Sequence, residues 1–267
     1  MIEAINSKRL RLLNLLPYAV GLALWAWAFV GYRGFVGMDQ VSYLAIAEQY
    51  AAGEFAAAVN AYWSPLLSWL LAPFIAVGIE PLLAYQLMVL LTLTLAIKAI
   101  GELCWQLRVR TKISTLVQIT LLPPLLYFAN IGFLADSLSA ALLSWLLAQA
   151  CAVWRTNTLR NWLMLAIIAL AAIFAKQYNL PFVIGVLGLV ILARMWRQWH
   201  RQPEYSYLTH LLSFWKKSST AALILIVGVG LWVALVSMKH DRLLWSSAGA
   251  YNYELAHCHG RHPAVQV

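Results

Sequence analysis

Long apolar runs separated by short polar breaks set the pattern of the chain. Residues 13–32, 82–107, 113–129, 137–154, 161–175, 180–195 and 220–238 are almost free of charge. Most have the roughly 17–25 residues that a helix needs to cross hydrocarbon. The pattern predicts an all-α, polytopic helical membrane protein, with about seven transmembrane helices in a single transmembrane domain over residues 1–267. Residues 64–78 are also apolar but short, and Pro65 and Pro73 punctuate them; a re-entrant or interfacial segment is expected. Residues 34–80 then form a long first external loop. Within it, residues 40–52 and 55–62 predict juxtamembrane surface helices parted at Gly53. Residues 196–218 predict a cytoplasmic amphipathic stretch, with Leu208, Leu211, Leu212, Phe214 and Trp215 beside His210, Lys216 and Lys217.

Composition agrees with that pattern. The chain is 63% hydrophobic and 11% charged, with mean hydropathy +0.73, where a soluble domain carries about 25% charge. A net charge of +9 in a soluble protein would point to nucleic acid. Here the basic residues fall in clusters between apolar runs, which reads as topology, so no nucleic-acid partner is expected. With seven crossings, 13 Lys and Arg share the side of the N-terminus, five lie opposite and Lys98 lies within a helix. That bias predicts a cytoplasmic N-terminus and an external tail at 239–267. The first run exceeds a signal peptide's apolar region and has no clear cleavage site, so an uncleaved first helix is expected. The expected residence is a bacterial plasma (inner) membrane. Three scattered cysteines, Cys104, Cys151 and Cys258, form no disulfide framework.

This topology gathers Asp39, Asp136 and Lys176 on the outer face. Residues 161–175 make only about 22 Å of helix, so Lys176 sits below the outer boundary of a hydrocarbon core about 30 Å thick. It either snorkels or projects into a hydrated cavity near Tyr178 and Asn179. Asp39 and Asp136 each also suit a helix N-cap. Taken together with Tyr43, Tyr62, Trp63 and Tyr178 they fit group transfer from a phosphate-linked lipid. A carboxylate takes the proton of an incoming hydroxyl, a cation holds the leaving phosphate, and aromatic rings hold a sugar. Glu48 and Glu54 suit the wet side of surface helices, and Trp69 an interfacial anchor. His257, Cys258, His259 and His262 could gather a metal, but their spacing matches no zinc pattern.

Four motifs in order carry a family resemblance. They are Asp39-Gln40-Val41-Ser42-Tyr43-Leu44-Ala45, Tyr62-Trp63-Ser64-Pro65-Leu66-Leu67-Ser68-Trp69-Leu70, Ala135-Asp136-Ser137-Leu138 and Ala175-Lys176. Over about residues 8–195 the chain resembles the membrane glycosyltransferases of the GT-C fold, in the group of protein O-mannosyltransferases and the lipid A aminoarabinose transferase. The resemblance implies an inverting transferase that uses a polyprenyl-phosphate sugar and a protein, glycan or lipid acceptor. It implies Asp39 as catalytic base or acceptor-orienting residue, Lys176 at the lipid phosphate, and Asp136 completing the polar site. A divalent metal at Asp39 and Asp136 is the one cofactor candidate. Gln40 stands where the family often has a second acid. Such enzymes are longer, so a shortened, non-catalytic remnant is one alternative; a transporter or lipid flippase is the other.

Overall fold

A computed structural model describes residues 2–35, 37–201 and 207–248. Among the described residues the fold is helix and connecting loop, with no strand. The elements are α1 (Ile2–Tyr32), α2 (Met38–Ala51), α3 (Phe55–Ala58), α4 (Leu66–Ala76), α5 (Pro81–Gln106), α6 (Thr111–Phe128), α7 (Leu134–Arg155), α8 (Leu159–Ala175), α9 (Leu180–Arg201) and α10 (Tyr207–Lys239). Five stretches are long and apolar enough to cross a membrane: Leu12–Tyr32, Pro81–Gln106, Thr111–Arg155, Gln177–Arg197 and Phe214–Lys239. The chain is thus an all-helical integral membrane protein.

Thr111–Arg155 is not one rod. A wide turn at Ala129–Phe133 contains Gly132 at φ 112°, a left-handed backbone that parts α6 from α7. Ser137 Oγ donates to Leu125 O at 3.4 Å. Twelve residues of continuous helix would hold those atoms about 18 Å apart, so the chain folds back here.

Hydrogen bonds between helices fix the remaining directions. Arg155 donates to the carbonyl of Gln106, and Tyr85 Oη donates to Ala129 O at 2.9 Å, so α5 and α7 run parallel. Gln149 Nε2 reaches Asn161 O at 3.1 Å, which sets α8 against α7. Arg194 reaches Trp154 O at 3.0 Å, and Lys217 Nζ reaches Asn157 O at 2.8 Å. Thr115 Oγ1 bonds Leu13 O, and Trp25 Nε1 bonds Gln86 O. The bundle consequently has two distinct ends. One gathers Arg155, Arg194, Arg197 and Lys217. The other gathers the ends of α1 and α8, the starts of α5 and α7, and all of α2–α4.

At that second end, α2 closes at Ala51 and Gly53 follows at φ 80°, as the apolar pattern and Gly53 predict. The second short helix is briefer than expected. Asn60 Oδ1 accepts from the amides of Tyr62 and Trp63 at 2.7 and 2.8 Å, which diverts the backbone into a turn after α3. The 11 residues of α4 make about 16 Å of helix, too short to cross. Its Ser68 Oγ donates to Tyr43 O at 2.9 Å, and Glu80 caps α5 through the amides of Leu82 and Leu83.

Residues 207–217 are the first turns of α10, where Phe214 is fully buried and packs on Trp162 at 5.8 Å. The half-buried Trp69 ring meets Phe174 at 5.3 Å and Trp232 at 5.5 Å, edge to face, packed against the core built by α7–α10. Alanines 166, 169, 172 and 175 of α8 are fully buried there, small enough to let neighbouring helices approach closely.

Gly37, just before α2, lies against the α6–α7 turn. A β-carbon on it would stand 2.8 Å from Ile131 O and 2.9 Å from the Cα of Gly132. Both are backbone atoms, so no side chain can move aside. Gly37→Ala is expected to destabilise the fold by about 1–3 kcal/mol, while Gly34→Ala, with open space around it, leaves stability unchanged. Denaturant unfolding of the two variants measures the difference.

Candidate functional site

Neither aspartate caps its helix. Gly37 is the N-cap of α2, and its amide bonds Gln40 Oε1 at 3.2 Å; Phe133 precedes α7 with no side-chain cap. Asp39 and Asp136 instead occupy the first turns of α2 and α7, where helix dipoles favour negative charge. Gln40, in the place of a second acid, is buried and committed to that amide. The Gly37–Gly132 approach brings the two first turns together. Gln86 Nε2 donates to Asn130 Oδ1 at 3.1 Å and Asn130 Nδ2 to Leu126 O at 2.8 Å, pinning the turn from α5.

Lys176 ends α8 in an extended conformation and is followed by a short 3₁₀ turn at Gln177–Asn179. Its Nζ lies 3.0 Å from Asp136 Oδ2, with side-chain exposures of 15% and 36%. The lysine is paired, so snorkelling is not what holds it. Tyr178 Oη donates to the other oxygen, Asp136 Oδ1, at 2.8 Å. Ser64 Oγ accepts from Gln177 N at 3.0 Å, and Asn179 Nδ2 bonds both Ser139 Oγ and Ala172 O at 2.7 Å. These contacts tie the Lys176 turn to α7 and to the Trp63-Ser64-Pro65 segment.

The aromatic residues complete the cluster. The Tyr43 ring meets Trp63 at 5.1 Å, and Trp63 meets Tyr62 at 4.7 Å, both edge to face. Tyr43 is 1% exposed and its hydroxyl has no hydrogen-bond partner. Burial, then the nearby charges of Asp136 and Asp39, push its phenol far above the ordinary tyrosine value. Tyr43 therefore stays a neutral donor. Asp39 is half-buried, and desolvation raises its carboxyl above 3.8; Lys176 pulls it back down and Asp136 pushes it up. All seven residues singled out in the sequence thus fall in one neighbourhood.

The donors do not suit a divalent cation. Both oxygens of Asp136 are engaged by Lys176 and Tyr178, and the ammonium would repel a second cation at this distance. Among the described residues no group of three His, Cys, Asp or Glu side chains converges, fewer than the carboxylate-rich sets that hold Mg²⁺ or Ca²⁺. Residues 257–262 lie outside the described residues. Asn179 is expected beside Lys176, but Ser64, Ser139 and Gln177 are not singled out by the sequence as site builders. Their signal was only that of polar residues beside long apolar runs, and Gln177 keeps both amide atoms buried without partners.

Comparison with protein-family models, with curated proteins and with solved structures found no match to this chain. The resemblance to GT-C transferases rests on the order of the motifs.

Two measurements probe the site. In a double-mutant cycle on stability, Lys176→Met and Asp136→Asn together should cost about 1 kcal/mol less than their separate losses added, because the site is partly solvated. The chain has three aspartates, so ¹³C-labelled aspartate gives an assignable carboxyl titration. The Asp39 resonance should titrate above 3.8, higher still in Lys176→Met and lower in Asp136→Asn. The folded state then binds the Asp39 proton more tightly than the unfolded state. Its contribution to stability falls as pH rises from near 3.8 through the raised value.

Proposed function

We propose that this chain is a membrane glycosyltransferase of GT-C type. It moves a sugar from a polyprenyl-phosphate donor to an acceptor hydroxyl of a protein, glycan or lipid at the outer membrane face. In this reading α1 and α5–α10 make seven crossings, α8 being the short one. The acidic end faces outward and the N-terminus lies in the cytoplasm of a bacterial cell, the basic clusters staying inside.

The observation that carries the reading is one cluster holding a carboxylate raised by burial, a lysine held at the bundle end, and a buried phenol beside stacked aromatic rings. Asp39 has the traits of a general base: burial makes its carboxylate more basic than a solvated aspartate. It takes the proton of the acceptor hydroxyl as the acceptor oxygen bonds the anomeric carbon. The bond from that carbon to the phosphate oxygen breaks on the opposite face, giving inversion. The leaving polyprenyl phosphate gains negative charge, which the Lys176 ammonium offsets. Asp136 and Tyr178 keep that ammonium aimed in the free protein. Tyr62 and Trp63 offer ring faces and edges to the sugar, and the buried Tyr43 ring backs Trp63.

Asp39→Asn in membranes supplied with a polyprenyl-phosphate sugar should lose at least about a hundredfold in transfer, while the protein accumulates and unfolds as the parent does. Full activity in that variant defeats the role of Asp39. Donor-independent movement of solute or lipid across vesicles by the parent chain would favour a transporter instead.

A further inference from the structure

A cleft of about 280 Å³ opens at the basic end of the bundle, lined by Trp154, Trp196, Arg197 and His200. It lies where two of the apolar stretches end, at Arg155 and Arg197, far along α7 from Asp136. Arg197 stacks over the Trp154 ring at 5.4 Å and spends one N–H on Trp154 O at 3.0 Å. Arg194 gives one N–H to the same carbonyl, also at 3.0 Å, and its Nε is buried without a partner. Each guanidinium carries five N–H donors, and the described residues engage one of each. Among the described residues the ion pair within 4 Å is Lys176 with Asp136 at the opposite end, so no described carboxylate neutralises either arginine. Trp196 and His200 stack at 4.8 Å along the rim.

We propose that this cleft binds the phosphate of an anionic phospholipid. Arg197 lines the cleft and Arg194 meets it on the same carbonyl just behind, a pair of guanidiniums whose charge and N–H geometry match phosphate oxygens. The volume is at the small end for a ligand site; it suits a headgroup but not a whole lipid. The acyl chains have a path outside the cleft. Leu189, Leu192 and Trp196 follow one another at helical spacing on α9 and are 68%, 63% and 63% exposed. A soluble phosphate would make no use of that apolar strip or of the tryptophans at the ends of the spans, whereas basic pockets between helices at the headgroup level are suited to anionic lipids. This site is independent of the transferase reading.

Native mass spectrometry of the full-length chain in detergent, with dioleoylphosphatidylglycerol or dioleoylphosphatidylcholine added, tests it. The glycerol lipid should be retained more strongly, with a loss of about fivefold for each arginine removed in Arg194→Ala and Arg197→Ala. Because those two arginines also cap α7, His200→Ala and Trp196→Ala, which leave the Trp154 carbonyl bonded, supply the second arm and should also weaken retention. Inorganic phosphate should not displace the bound lipid. Equal retention of the two lipids overturns the proposal, as does undiminished retention in both rim variants. Displacement by inorganic phosphate overturns the lipid in favour of a soluble phosphate ligand.

Discussion

The polar end of this bundle depends on the close passage of two backbones, Gly37 against Ile131 and Gly132. Two helices, α2 and α7, must begin beside each other for Asp39 and Asp136 to share a neighbourhood, and the absence of a β-carbon at Gly37 allows it. Everything else at that end is fitted around the crossing. Tyr85 and Gln86 of α5 secure the turn from below, Ser68 of α4 secures Tyr43 from the side, and Ser64 receives the turn that carries Lys176. A buried cation or anion left alone in such surroundings would be costly. The Lys176–Asp136 pair and its tyrosine offset much of that cost, while the unpartnered Tyr43 hydroxyl and Gln177 amide leave donors and an acceptor unspent.

Much of this was legible in the chain. Apolar runs locate helices because lipid and protein core both demand continuous burial of apolar side chains and internal satisfaction of the backbone. Gly53 ended α2 for the reason a glycine usually does, its tolerance of positive φ. The convergence of Asp39, Asp136 and Lys176 followed from counting crossings, since alternating helices must return every second connection to the same end. What could not be read was fine in scale. The Asn60 turn hangs on one side-chain oxygen, and α2 takes Gly37 as its N-cap, two residues before Asp39, with Gln40 holding the Gly37 amide. Phe214 and Trp69 have the composition of interfacial residues, and only tertiary packing buries the first and sets the second against the core.

The two ends of the bundle use positive charge differently. At one, arginines and a lysine bond the last carbonyls of α5 and α7 and the loop after them, where the helix dipole favours cations. At the other, Lys239 also bonds backbone carbonyls, but Lys176 is set against a carboxylate in partly desolvated surroundings. Only Lys176 has a charged partner among the described residues.

The wall that holds Tyr62 and Trp63 is also fastened by the last helix. Lys239 Nζ bonds Ala57 O at 2.8 Å and Val59 O at 2.6 Å, and Ser247 N bonds Ala61 O at 3.0 Å. The two lysine contacts span 182 and 180 residues of chain. On a ribosome adding about 5–20 residues per second, the aromatic wall therefore waits roughly 10–40 s for its final fastening. During that interval the early helices are already made while the wall still lacks this support, so assembly of this end is a late event in biosynthesis.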